Sequence, residues 1–346
     1  MDKTQTPSTF WKRALAPYTK PSVGRSVLQI VNTFPPFAAL WTLMYVSVGR
    51  DWPYGITLLL AVPTAGLLVR LFIIQHDCGH GSFLKSKRAC DLIGSAIGIL
   101  TLTPYHYWRQ EHAVHHATSG LLDRRGAGDI DTLTVAEYEA LSPGRRLLYR
   151  LYRNPILLFV IGPPFHFILK QRLPWDALPR SASAWRSVWL VNGALAAVLG
   201  ALALTTGLRT FLLVQVPVTL ISASAGVWLF YVQHQFEDTY WRWKPDWDYH
   251  DAALHGCSNY EVGGPLMWIT GNIGLHHIHH MSARIPNYRL ADAQRAIPEL
   301  SAATNLSIPA SLRCARLALW DESRQKLISL REHGRRTPLS PPAPRE

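Results

Sequence analysis

Charge is what this chain has least of. Only 17% of its 346 residues are Asp, Glu, Lys or Arg, against about a quarter in soluble domains. That deficit excludes an ordinary soluble protein and directs attention to apolar runs. Cysteine is scarce too. Cys78, Cys90, Cys257 and Cys314 show no paired spacing, which argues against a disulfide framework or a thiolate metal site and fits a reducing compartment. The first 20 residues lack a short apolar core, so no secretory signal peptide is expected. Acidic residues are outnumbered, and the net charge is +12. The basic residues flank apolar runs, which is the positive-inside pattern of membrane proteins rather than a nucleic-acid footprint, and no nucleic acid is expected.

Four runs are long and apolar enough to cross a bilayer, at roughly 20 residues per span. They cover residues 27–49, 53–74, 187–208 and 211–232. The first pair is joined by Arg50, Asp51 and Trp52, the second by Arg209 and Thr210, so each pair reads as a hairpin. Pro35 and Pro36 predict a kink in the first run. Ala89–Tyr105 is shorter and reads as a re-entrant or interfacial helix. Asn154–Leu169, broken by Gly162-Pro163-Pro164, is placed at the interface. The remaining segments, 75–186 and 233–333, form a cap, with mixed soluble helices after Ser282. Trp241, Trp243 and Trp247 read as an interfacial belt. Residues 334–346 read as a disordered basic, Pro-rich tail. The two hinges carry only Arg50 and Arg209, whereas fourteen Lys and Arg lie between His76 and Arg186. Both termini and the cap are therefore expected on the cytoplasmic side of a membrane. The fold class expected is an all-α integral membrane protein, four spans in two hairpins with a cytoplasmic helical cap, residues 1–333 forming one domain.

Histidine is where the chain is rich, with 15 residues. Three clusters stand out: His76 and His80; His112, His115 and His116; His276, His279 and His280. Spacings of i, i+3 and i+4 bring side chains to one face of a helix. Neutral imidazole is the commonest protein metal ligand, and eight such nitrogens exceed the needs of one ion, so they suit two. Nitrogen ligation fits iron, copper, nickel or zinc. All three clusters fall just outside the spans, on one side. A nitrogen-ligated pair of ions at a membrane surface, beside spans that line acyl chains, suggests oxygen activation on a lipid. Iron is the metal with that chemistry, O2 its co-substrate, and no acid–base residue or nucleophile is then needed.

The forms H-x-x-x-H, H-x-x-H-H and H-x-x-H-H resemble the three histidine boxes of the membrane fatty acid desaturase family. Trp108–His112, Phe230–Glu237 and Thr270–Gly274 also resemble bacterial acyl-lipid desaturases. The resemblance covers roughly His76 to Leu290 plus the spans before it. It implies four membrane helices, a cytoplasmic cap, two iron ions, O2, a fatty acyl lipid substrate and an external electron donor of ferredoxin or flavodoxin type. It also implies one ligand outside the boxes, which maps onto His234. The sequence departs from the family's pattern at Asp131, where relatives carry an aromatic residue. Related membrane hydroxylases and ketolases share the boxes, so hydroxylation is the alternative outcome. A histidine-rich metal transporter would instead place ligands inside the spans.

Asp77 and Glu111 adjoin box histidines and Asn272 precedes His276 by four, so these three are candidates to orient the imidazoles. His277 lies about 100° round a helix from His276 and is expected to point elsewhere. His106, His250 and His255 are candidate orienting partners or plain surface groups, His166 a structural group, and His333 solvated. The basic residues Arg124, Arg125, Arg145 and Arg146 are expected to steer an acidic electron carrier.

Overall fold

A computed structural model describes residues 6–126, 128–173 and 182–335. The expected disordered tail lies outside the described residues except for Gly334 and Arg335. The chain opens with α1 (Pro7–Leu15), α2 (Val23–Val31) and α3 (Phe34–Gly49). Pro35 and Pro36 sit in the first turn of α3, where the missing N–H has no partner to lose and the fixed φ suits a helix. The first apolar run is accordingly interrupted just before them, where the chain turns at Asn32–Thr33 between α2 and α3. After the link 50–53 comes α4 (Tyr54–His80), 27 residues long. That exceeds one span, so α4 carries His76 and His80 on its last turns. Gly81 closes it in the left-handed region at φ 64, which glycine adopts without strain.

The expected short apolar helix is α5 (Lys87–Leu100), which packs along α4 and leads to α6 (Tyr105–Thr118). A Cβ on Gly98 would stand 2.5 Å from the Thr103 carbonyl oxygen. The tight turn therefore requires glycine, and it delivers the second histidine cluster beside the first. Next come β1 (Leu133–Thr134), α7 (Val135–Ala140), α8 (Pro143–Tyr152), a π-helical turn at Leu157–Ile161 and α9 (Gly162–Ile168). The backbone stays helical from 155 to 168, but it widens into the π turn immediately before Gly162-Pro163-Pro164, whose prolines cannot donate the ordinary i−4 bond.

Helices α10 (Ala182–Thr205) and α11 (Leu208–His234) follow. Their link is Thr206–Gly207, with Gly207 at φ 81, so Arg209 belongs to the first turn of α11 and not to the hinge. Among the described residues, four helical stretches are long and apolar enough to cross a membrane: Val23–Gly49, Tyr54–His80, Ala182–Leu202 and Leu208–His234. Helix α4 packs against both α3 and α11 and stands at the centre of the group.

The C-terminal part holds α12 (Tyr249–His255), β2 (Asn259–Glu261), α13 (Gly264–Ile269), α14 (His276–Met281), α15 (Asn287–Ala296), β3 (Asn305–Ser307), α16 (Ile308–Cys314), β4 (Leu317–Asp321), β5 (Lys326–Ser329) and α17 (Leu330–Gly334). The protein is mostly helical, but it is not all-α. Strand β4 pairs antiparallel with β5 and parallel with β1, and β2 pairs parallel with β3. These strands are too short for a two-residue periodicity to show in sequence, and β1 finds its partner in a distant segment. Of the three tryptophans expected at the interface, Trp241 is instead packed inside the protein, buried with Leu122, Trp320 and Leu327. Trp243 Nε1 donates to Glu322 Oε1 at 2.8 Å and Trp247 Nε1 to the Ser119 carbonyl at 3.0 Å. Buried Arg153 ties the regions together. Its guanidinium donates to Gln235 Oε1 (3.0 Å), the Tyr231 hydroxyl (3.2 Å) and the Leu317 carbonyl (2.7 Å). It thereby holds the end of α11, where His234 stands, against β4.

Candidate metal centre

Four helices bring the histidines together: α4, α6, α11 and α14. Their ring nitrogens form two groups. His76, His80, His112, His116 and His279 make one, and His115, His234, His276 and His280 the other. Within each group one nitrogen per residue lies within 4.8 Å of all the rest. All nine residues proposed from sequence are present, and His234 joins the second group. Neither H-x-x-H-H box serves a single group. His112 and His116 go one way and His115 the other, while His276 and His280 part from His279. An i, i+4 pair stacks along one line, and the i+3 side chain leans to the opposite flank.

The Nε2 atoms converge. His112 Nε2 is 3.0 Å from His76 Nε2 and 3.1 Å from His116 Nε2, and the latter is 3.0 Å from His279 Nε2. In the second group His234 Nε2 is 3.2 Å from His115 Nε2 and 3.0 Å from His276 Nε2. His80 Nε2 and His280 Nε2 are buried without a hydrogen-bond partner among the described residues. Burial, and then the neighbouring imidazoles, push His112, His116, His276, His279 and His280 well below the usual imidazole value. These rings are therefore neutral, and each brings inward a nitrogen able to offer a lone pair. A neutral imidazole has one donor and one acceptor, so converging acceptors without donors are costly in a buried site. A cation shared by each group removes that cost, and the donor set fits two nitrogen-preferring ions.

Outward contacts aim the rings. His115 Nδ1 pairs with a carboxylate oxygen of Asp129, half-buried on the loop before β1. This carboxylate–histidine pairing fixes the tautomer that leaves Nε2 facing inward. Asp129 was not among the sequence candidates; it is thirteen residues beyond the box, in a loop that only the fold returns to α6. His234 Nδ1 lies 3.7 Å from Cys257 Sγ. Trp108 stacks on His112 with ring centroids 4.6 Å apart. Asp77 stands 3.5 Å from His76 Nδ1, but its strongest contacts are from Asn287, whose backbone N–H donates at 2.7 Å and side-chain amide at 2.8 Å. It fastens α15 to the end of α4. Glu111 lines a cavity beside the histidines. Asn272 is at φ 59 in the turn before α14, so its spacing from His276 is not helical. His277 points away and meets Gln294 Oε1 at 3.0 Å. His166 contacts Gln171 at 3.0 Å, and His255 is exposed.

That cavity has a volume of about 860 Å³. It reaches His76, His112 and His276 and runs between α4 and α11, past Leu68, Phe72, Phe230 and the α9 residues Phe165 and Phe167. Its walls are mainly apolar.

A buried, all-imidazole site carried by two membrane-length helices and two short ones, at the end of an apolar cavity, defines a class: helical proteins whose donor set can hold metal ions beside a hydrocarbon-lined space. The fatty acid desaturase family profile matches residues 51–310. A fatty acid desaturase of Bacillus subtilis is 44% identical over 319 residues, 92% of this chain and 90% of that one. An sn-1 acyl-lipid omega-3 desaturase (ferredoxin) of Synechocystis is 33% identical, covering 66% of this chain and 63% of its own length, and an sn-1 oleoyl-lipid 12-desaturase of the same organism is 27% identical over 68% and 66%. The chain belongs to the fatty acid desaturase family. It is an enzyme of the oxidoreductase class, acting in lipid metabolism.

Proposed function

We propose that this protein introduces a carbon–carbon double bond into a fatty acyl chain carried on a membrane lipid. The observation that carries this reading is the apolar cavity of about 860 Å³ ending on His76, His112 and His276. Its size and apolar lining suit a hydrocarbon ligand. In the balanced reaction, –CH2–CH2– plus O2, two electrons and two protons yield –CH=CH– and two waters. Two iron ions, one held by His76, His80, His112, His116 and His279 and one by His115, His234, His276 and His280, would supply the O2 activation and hydrogen removal. Asp129 holds His115 in the required tautomer. Trp108 and Phe230 pack on the imidazoles and exclude water from the reacting end of the chain. Leu68, Phe72 and the α11 wall hold the methylenes extended.

In this reading the four spans form two hairpins across a bacterial inner membrane. Residues 75–186 and 233–333 form the cap on the cytoplasmic face, with both termini there, and residues 1–333 act as one domain. Electrons arrive from a separate acidic carrier of ferredoxin or flavodoxin type. Arg124 and Arg145 are exposed and suited to steer it, whereas Arg125 is engaged by Glu137. The test is lipid analysis of a desaturase-deficient bacterium expressing the chain. A new O2-dependent double bond, located by mass spectrometry, is the expected result. A hydroxylated or unchanged acyl chain would overturn the reading.

A further inference from the structure

We propose that Gly226, Ser222 and Thr219, on one face of α11, set how far an acyl chain enters the cavity and so which chain lengths are accepted. This rests on the acyl-chain reading above. All three residues line the cavity, and their spacing places them on one helical face. Between Gly226 and His234 the lining is larger, with Val227, Leu229 and Phe230. The wall is thus bulky near the histidines and recedes beyond them. A Cβ placed on Gly226 would meet no atom within 4 Å. No neighbour requires glycine there, and a side chain at that position would grow into the cavity.

Helical geometry turns these positions into depths. Gly226 precedes His234 by eight residues, roughly 12 Å along the axis, Ser222 by twelve, roughly 18 Å, and Thr219 by fifteen, roughly 22 Å. An extended hydrocarbon with C–C bonds of about 1.5 Å advances ~1.3 Å per carbon. The three positions therefore lie about nine, fourteen and seventeen carbons beyond the reacting end. On α4, Leu68 lines the cavity at a matching depth, eight residues before His76. A polar head group is costly to bury in hydrocarbon, so the methyl end travels along α11. The two hydroxyls are already engaged. Thr219 Oγ1 accepts from Gln215 Nε2 at 3.2 Å, and Ser222 Oγ donates to the Thr219 carbonyl at 3.3 Å. This wall can therefore face an alkyl chain without leaving those groups unpaired.

The experiment compares Gly226→Phe, Ser222→Phe and the unchanged protein in a desaturase-deficient host supplied with saturated C14, C16 and C18 acids. The expected result is at least a tenfold fall in the C18-to-C14 conversion ratio for Gly226→Phe and a smaller fall for Ser222→Phe. Gly193→Phe, on α10 and outside the cavity lining, should leave the ratio unchanged. A Gly226→Phe ratio within twofold of the unchanged protein overturns the proposal. If that variant does not accumulate, Gly226→Ala decides: a smaller fall supports the proposal and an unchanged ratio sinks it. Acyl chains that co-purify with each protein, sized by mass spectrometry, give a reading independent of turnover. A shift toward shorter chains in Gly226→Phe supports the proposal even if no double bond forms, in which case only the desaturase reading fails. An unshifted length distribution overturns it.

Discussion

The two histidine groups are made from the same chemistry but held in different ways. The five-residue group draws His76 and His80 from α4, a pair set by spacing along one helix. The four-residue group contains no pair from a membrane-length helix and takes a single residue, His234, from the last turn of α11. It compensates with outside support: Asp129 on His115, Cys257 beside His234, and Arg153 fastening the residue after His234 through Gln235. Helical spacing supplies two i, i+4 pairs to the first group and one, His276 and His280, to the second, which leans more on tertiary contacts for His115 and His234. The second should therefore be the more sensitive to changes at a distance.

The largest expected effects test whether the groups are separate centres. His116→Ala should empty the first and His276→Ala or His234→Ala the second, each taking purified protein from about two irons per chain to about one or fewer and abolishing desaturation. Metal analysis checks this. A full iron complement in His234→Ala would show that His234 only ends its helix. Next is Asp129→Asn, which should weaken metal binding about 10- to 100-fold at one centre while leaving the other intact. Chelator competition resolving a single weakened site would confirm the asymmetry; two equally weakened sites would contradict it.

Smaller effects come from His277, which sits inside the third box yet belongs to neither group. Burial holds its imidazole at about 4, below the ordinary value of about 6.5. The unfolded chain therefore binds the proton more readily between these values. The stability this neutral ring contributes is intact above about pH 6.5 and falls as the pH drops toward 4, at up to about 1.4 kcal/mol per pH unit. His277→Gln should flatten the acid side of the stability profile by up to that slope, measured by thermal unfolding in detergent at pH 7 and pH 5. Identical profiles would place the titration elsewhere. The change that should touch the metal least is His277→Ala at neutral pH, costing roughly 2–4 kcal/mol of stability for the lost packing and the contact to Gln294 while keeping both irons and substantial activity. Iron content and product yield check it against His276→Ala, its immediate neighbour.

The box histidines were legible because their signal is local: residues three and four apart share a helical neighbourhood whatever the rest of the chain does. The long apolar runs were legible because thickness of hydrocarbon dictates length of helix. Proline was legible as an interruption but not in its form: the first run turns at Asn32–Thr33 just before Pro35-Pro36, and the later one widens into a π turn just before Pro163-Pro164. The strands of the C-terminal part were missed because their pairing is decided between distant segments. By itself, the order of residues determined the spans, the three clusters and the direction in which His277 points. Only the tertiary structure decided that each H-x-x-H-H box divides between two groups, that Asp129 comes back to His115, and that α11 lines a cavity with Gly226 at its open stretch. Those outcomes depend on how whole helices pack, and packing sums many weak contacts that no short stretch of sequence contains.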